Sequence, residues 1–417
     1  SWDTTVKTGD FTAVNGVGYF VNTTSGEIDV TLPASPSAGA VVAISDYANN
    51  FATNNCILLR NGSNIGGSAV NATLVVNGAA VTLVYVDATK GWIVTDSGNQ
   101  SEASELATYV TATGGTITTC GNFKIHSFTG PGTFTVCTVG NAGGSNSVDY
   151  LVVAGGGGGG GGGDSAAGAG AGGYRFSNGT VSGCFSAGPS PLGASALPVS
   201  AQGYAIVVDG GGAAHPGSPS PDSRGTSGGV SSFSTITSAG GGGGGGGPGG
   251  VATPISSGRS GGSGGGAATT GGGPGSIGTG NTPPVSPPQG FNGGTGASDN
   301  ATYRVGGGGG GAGAVGQSVT NPVPNSGGTG GAGGAGLTSC ITASPVARGG
   351  GGGGGGHNNG QGPGPGGSGG GGAGAKPGAA VAGTTNTGGG GGGGADPGFA
   401  GGNGGSGIVI IRYKFQN

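Results

Sequence analysis

Five uninterrupted glycine runs, residues 155–163, 240–247, 306–311, 349–356 and 388–394, constrain this chain more than any other feature. Glycine has no Cβ and loses more conformational freedom on ordering than any other residue, so an isolated run is a mobile linker. One ordered state is open to it. In the polyproline II conformation the backbone advances about 3.1 Å per residue, with three residues per turn and no internal hydrogen bonds. Its N–H and C=O groups must then find partners on neighbouring segments, and the absence of side chains lets those neighbours approach. Each ordered backbone costs about 1–2 kcal/mol, against about 0.5–1.5 kcal/mol returned per net hydrogen bond. A lone run therefore stays unfolded, whereas a bundle closed by flanking strands is able to order. The longest run would span about 28 Å in this conformation, enough to cross a compact domain.

With 118 Gly and 23 Pro in 417 residues, composition by itself points to low-complexity spacers. A collagen helix is excluded because no Gly-X-Y period is sustained. Only 6% of residues are charged and the net charge is −3, so the sequence offers neither a basic surface for nucleic acid nor an acidic tail. No apolar stretch reaches about 18 residues, and no transmembrane helix is expected. The lack of Met and the start at Ser1 suggest processing or an incomplete N-terminus, with no signal peptide visible. Cys56, Cys120, Cys137, Cys184 and Cys340 are widely spaced and make no zinc or redox motif. A Cys120–Cys137 bridge and buried free thiols are both open. Sparse charge with abundant Gly, Ser, Thr and Asn favours an extracellular or virion setting.

Residues 1–97 read as a small all-β sandwich or barrel. Apolar runs at 11–14, 19–21, 28–32, 41–44, 56–59, 74–76, 81–86 and 92–94 alternate with Asn-Gly and Ser-Gly turns. Asn77-Gly78 is the strongest hairpin signal, and Trp2 and Trp92 are expected to close the core. Residues 98–107 form a linker. Within 108–148 a β-hairpin is expected, with 123–128 and 133–138 as partners across Thr129-Gly130-Pro131-Gly132; His126 reads as a surface or satisfied histidine. The apolar stretches 148–154 and 407–415 enter and leave the glycine-rich region and should be neighbours in one sheet clamping its base. Weaker strands are expected at 204–208 and 232–237. The fold class is thus all-β N-terminal modules followed by a glycine-rich region, 149–417, of packed polyproline II strands (polyglycine II) clamped by β-strands, with irregular Pro-rich connectors between the runs.

Two sets of residues carry a family resemblance. Gly18-Tyr19-Phe20, Asn22-Thr23-Thr24, Thr31-Leu32-Pro33, Asp46-Tyr47 and Tyr85-Val86-Asp87-Ala88-Thr89-Lys90-Gly91-Trp92 resemble modules of phage tail-fibre proteins, particularly marine ones. The blocks Thr113-Gly114-Gly115-Thr116, Lys124-Ile125-His126-Ser127-Phe128, Thr133-Phe134, Tyr150-Leu151-Val152-Val153-Ala154-Gly155-Gly156 and Gly404-Gly405-Ser406-Gly407-Ile408-Val409-Ile410-Ile411-Arg412-Tyr413 are similar to the glycine-rich region of such fibres. The resemblance implies a virion fibre or fibre-tip adhesin in which loops between glycine strands touch a host receptor, a polysaccharide or an outer-membrane protein. It also implies contact with other fibre or tail proteins, a homotrimer, and a location on the virion outside the cell, with no nucleic-acid partner and no membrane insertion. The β-rich N-terminal module and the long, uneven connectors depart from the glycine-rich adhesins of T-even phages, so loops do not transfer one by one.

No catalytic constellation is visible. His126, His215 and His357 lack metal-ligand spacing, and no P-loop ending follows the Gly-x-Gly-x-x-Gly matches. Asp209, Asp222, Asp299 and Asp396 read as solvated loop acids rather than as a depolymerase pair. The chain is expected to be non-enzymatic, with no cofactor and no metal. Aromatic, Arg and amide groups stand out among Gly and Ser and are enriched at contact sites; on that basis Tyr303, Arg304, Phe291, His215, Arg224, His357 and Asn358 are the candidate receptor-binding residues. The alternative is a structural subunit of an extracellular glycine-rich filament. Ice binding would need a regular three-residue repeat, which is missing.

Overall fold

β-Branched residues alternate with polar ones in the first strands of the chain, and this period-two pattern sets one face of each strand inward. A computed structural model describes residues 1–99, 107–141, 144–163, 165–179, 193–217, 222–247, 254–270, 273–298, 304–320, 328–357 and 361–416. Apart from a 3₁₀ turn at Pro254–Ser256, the regular structure of these residues is all strand. The chain divides into two units, Ser1–Leu106 and Ala107–Asn417.

In the first unit β1 (Trp2–Lys7), β3 (Val17–Val21) and β5 (Val41–Asp46) run parallel in one sheet, continued antiparallel by β8 (Ala79–Asp87) and β9 (Gly91–Asn99). A second sheet holds β2 (Phe11–Thr12), β4 (Ile28–Thr31) and β6 (Cys56–Leu59) in parallel, with β7 (Ala72–Leu74) antiparallel. From β1 to β6 the chain therefore crosses between sheets at every turn, forming stacked two-strand coils rather than a barrel, and only β6–β7 and β8–β9 are antiparallel hairpins. Val30, Leu32, Val42, Ile44, Leu58, Leu83 and Trp92 fill the space between them. The expected hairpin at Asn77-Gly78 is absent, since β7 and β8 belong to different sheets. Instead Gly78 takes a left-handed φ of 72° and donates its N–H to Asp46 at 3.0 Å. Trp92 is a core residue as expected. Trp2 is not: it is 49% exposed and stacks on Phe20 at 4.9 Å.

The second unit begins with two facing sheets. One orders β10 (Thr111–Thr113), β13 (Gly132–Thr138), β17 (Gly203–Val207), β18 (Ser231–Phe233) and β19 (Ile236–Ser238). The other orders β11 (Thr116–Cys120), β12 (Phe123–Phe128), β26 (Ile408–Lys414), β14 (Ser147–Val153) and β15 (Tyr174–Phe176), with β16 (Leu197–Pro198) also pairing β14. The strands of 108–148 are thus shared between these sheets and do not make a separate hairpin module. β12 and β13 do not pair; the turn at 129–132 carries the chain from one sheet to the other, because Phe128 and Phe134 both enter the core between them. β14 and β26 are antiparallel neighbours, Leu151 opposite Ile410. Residues of both strands also pack on the far side of their sheet, against Tyr174, Ala312 and Ile341. Burial on two faces explains why they read as continuous apolar runs.

Short ladders close some of the later turns: β20 (Thr269–Thr270) with β21 (Gly273–Pro274), β22 (Ala297–Ser298) with β23 (Arg304–Val305), and β24 (Leu337–Ser339) with β25 (Val346–Arg348). Cys56, Cys120, Cys137 and Cys340 are free thiols, and Cys120 and Cys137 lie in different sheets. Cys184 lies outside the described residues.

From β14 the first glycine run enters a lattice of extended segments. The N–H groups of Gly155, Gly158 and Gly161 reach the carbonyls of Gly229, Thr226 and Ser223; those of Gly156 and Gly159 reach Gly405 and Gly402; those of Gly157 and Gly160 reach Gly170 and Ala167. The carbonyls of Gly155, Gly158 and Gly161 accept from Gly241, Gly244 and Gly247, those of Gly156 and Gly159 from Gly212 and His215, and those of Gly157 and Gly160 from Gly391 and Gly394. The bonding direction returns every three residues, which is the repeat of a polyproline II helix. Donor bonds go to antiparallel segments and acceptor bonds come from parallel ones, so this run is surrounded on all sides. A Cβ on Gly159 would stand 1.8 Å from the Gly392 carbonyl oxygen, and one on Gly157 2.3 Å from that of Gly242. The close approach of backbones thus requires glycine at these positions.

Candidate functional site

Hydrogen-bond register fixes which way each lattice segment runs. Segment 155–161 leads away from the two sheets, 167–173 returns, 210–215 leads away, 223–229 returns, and the alternation continues to 402–407, which runs back into β26. The segments that end at 217, 298 and 357, those that resume at 222, 304 and 361, and the turns at 376–379 and 395–399 consequently stand at the lattice end distal to the sheets. Connectors at 281–289, 337–348 and 385–387 lie at the proximal end. Sequence punctuation by Pro and polar residues marks all of them alike; only the alternation of segments sorts them.

Four candidate contact residues stand at or beside distal connectors. Arg224 pairs with Asp222 through two parallel bonds, Nε–Oδ1 at 2.9 Å and Nη2–Oδ2 at 2.8 Å. Arg259, from a neighbouring segment, donates Nη2 to the same Oδ2 at 3.1 Å. The Arg224 hydrogen bonds are the main reason that the Asp222 carboxyl is held down at about 2, with Arg259 adding a smaller pull. One carboxylate between two guanidiniums leaves a net positive charge on a partly exposed cluster. Ser223, between them, is 2% exposed, and its Oγ has no hydrogen-bond partner.

His215 departs from expectation. Its side chain is buried, 6% exposed, and Nδ1 accepts the Gly217 N–H at 3.1 Å. Burial lowers its pKa, partly offset by Asp222. It therefore shapes the connector rather than presenting a ring to a partner. The His215 carbonyl accepts the Gly401 N–H, which sets the connector of 215–217 beside that of 395–399. There Asp396 lies 3.6 Å from His357 Nε2. Arg304 is half-buried, and its carbonyl accepts the Ser165 hydroxyl at 2.7 Å. Phe291 falls at the opposite, proximal end, where its N–H bonds Gly311 and its carbonyl accepts from Gly264; it does not join this group. Tyr303 and Asn358 lie outside the described residues.

Asp209 is also proximal, bonding Gly210 and Gly407, and Asp299 is outside the described residues. Among the described residues no three His, Cys, Asp or Glu side chains gather as a metal would need. The described distal residues thus offer two guanidiniums on one carboxylate and an imidazole beside a second carboxylate. Sequence reasoning passed over Arg259, whose signal was its rarity as a cation in a chain with 6% charged residues.

A family model described as the glycine-rich domain matches residues 128–414. The chain belongs to the glycine-rich domain family. The match begins at Phe128, at the end of β12, and stops at Lys414, the last residue of β26. The glycine-rich domain thus takes in the lattice, both strands that clamp it and every distal connector. No curated protein matches the chain.

Proposed function

We propose that the chain is a non-catalytic tail-fibre or fibre-tip protein of a phage virion, which attaches to the host cell surface through the distal connectors of its glycine-rich domain. The observation that carries this reading is the placement of the Asp222–Arg224–Arg259 and His357–Asp396 clusters toward one end of a lattice whose other end is closed by β-sheets. A rigid base reduces the ordering cost that loops otherwise bring to binding. The contact residues of this reading are Arg224, Arg304 and His357, together with Tyr303 and Asn358 from the same connectors, and Arg259 joins them. The receptor is a surface polysaccharide or an outer-membrane protein, and the virion assembly is a homotrimer joined to other tail proteins.

Exchanging connectors 216–222, 297–304 and 357–361 for short Gly-Ser turns tests the reading. Host adsorption by virions carrying the exchanged chain should fall at least tenfold while the lattice keeps its melting temperature. Unchanged adsorption with an intact lattice would remove the proposal.

A further inference from the structure

Arg348 is the last residue of β25, where it pairs with Leu337 of β24. It is 6% exposed, and its Nε and Nη1 are sealed from solvent without a hydrogen-bond partner. Among the described residues its side chain joins no ion pair. A guanidinium does not shed its proton in a protein, so the fold holds a buried positive charge that no acid among the described residues pairs. Such a charge is costly unless something neutralises it.

The surroundings are rich in donors. Period-two alternation puts Leu337, Ser339, Val346 and Arg348 on one face of the hairpin. Tyr174 lies against it: a Cβ on Gly349 would be 3.4 Å from Tyr174 Cδ2. The Tyr174 hydroxyl, close to Ser339, makes no hydrogen bond of good geometry. Burial is the main cause that lowers the Arg348 pKa, while burial also pushes the Tyr174 phenol up to about 12, so it stays a neutral donor. Leu337, Ile341 and Ala312 belong to the same apolar cluster as Tyr174.

We propose that Arg348, with the hydroxyls of Tyr174 and Ser339, holds a small monovalent inorganic anion of the halide class beneath the hairpin β24–β25. Water would accept the free N–H groups but would bring no charge. A polyoxyanion would present acceptors to this apolar cluster, which cannot satisfy them. The proposal stands apart from host attachment, since the site is at the proximal end.

The test uses the full chain in bromide. Crystals grown with bromide as the only halide should give an anomalous peak within hydrogen-bonding reach of Arg348 Nε and Nη1. Melting in sodium bromide, against sodium gluconate at equal ionic strength, should show a gain that grows with the logarithm of concentration, about 2–4 °C for each tenfold rise above the dissociation constant. Arg348→Gln, which needs no counter-charge, should lose that gain. Water density at the site would overturn the proposal, as would a halide response retained by Arg348→Gln. A peak with no difference in melting would mark an adventitious ion only and would overturn it too. Both wild-type measurements stand even where the variant does not fold.

Discussion

His126 Nε2 lies 3.1 Å from the Tyr413 hydroxyl, although 287 residues separate them in the chain. Adjacent pairing of β12 with β26 brings them together, and the rings stack at 5.5 Å. On its other side His126 Nδ1 meets the Gly114 carbonyl at 2.7 Å. A carbonyl only accepts, so Nδ1 carries the proton and Nε2 accepts from Tyr413. This pair fastens the closing strand of the glycine-rich domain to the hairpin β11–β12, which leads into that domain.

Acid should therefore loosen the domain. Burial is the main cause that holds His126 below the ordinary histidine pKa, and the same holds for His215. A depressed histidine pKa means that the unfolded chain binds the proton more tightly. Stability is then fully present above the unfolded value of about 6.5 and falls as pH drops below it, by up to about 1.4 kcal/mol per pH unit per histidine. Melting temperature between pH 7.5 and 5 should show this decline, and His126→Gln should flatten it. Equal slopes in both proteins would refute the assignment.

Glycine in the lattice should be intolerant of a single methyl where backbones touch. Gly159→Ala places Cβ 1.8 Å from the Gly392 oxygen, and overpacking of this kind costs about 1–3 kcal/mol or more. Gly163→Ala, with nothing within 4 Å, serves as the control and should melt within about a degree of wild type. If both variants melted alike, the tight lattice would be in doubt.

The strands most legible in the sequence were those buried on two faces. The runs 148–154 and 407–415 announce β14 and β26 without any periodicity to interpret, and even their adjacency follows from flanking the same region. Pairing direction was not legible. Alternation in β4 and β6 fixes which side chains face inward, but it is the same for parallel and antiparallel neighbours, so Asn-Gly turns suggested hairpins where the chain crosses between sheets. The turn at 129–132 misled in the same way, since turn chemistry does not report whether Phe128 and Phe134 meet across a sheet or across a core. At the distal end, connectors were readable from Pro and polar punctuation. The burial of His215 was not, because it depends on where segment 210–215 sits against segments 155–161 and 400–405.

Asp46 should be indispensable to the first unit. It is 8% exposed, and its carboxylate accepts the N–H groups of Ala48, Asn50, Phe51 and Gly78. Asp46→Ala leaves those donors without their acceptor, at a cost of about 3 kcal/mol or more. Chemical denaturation of this variant should show the loss; a change below about 1 kcal/mol would mean that water replaces the carboxylate.

The distal cluster makes a sharper demand, because stability and attachment should separate there. Arg224 and Arg259 share one partly exposed carboxylate, and ion pairs of that kind add little to stability. Removing both guanidiniums with Arg224→Ala and Arg259→Ala should therefore leave melting within about 2 °C of wild type. Host adsorption should nonetheless fall, because truncating a contact arginine commonly costs about 2 kcal/mol, or roughly thirtyfold in affinity. Nuclear magnetic resonance titration adds an independent check. The Asp222 carboxyl, held at about 2 by Arg224 first and Arg259 second, should rise toward the ordinary aspartate range in the double variant. Adsorption that survives while Asp222 is released would place the receptor elsewhere on the distal end; adsorption that falls together with melting would reduce the cluster to a structural clasp.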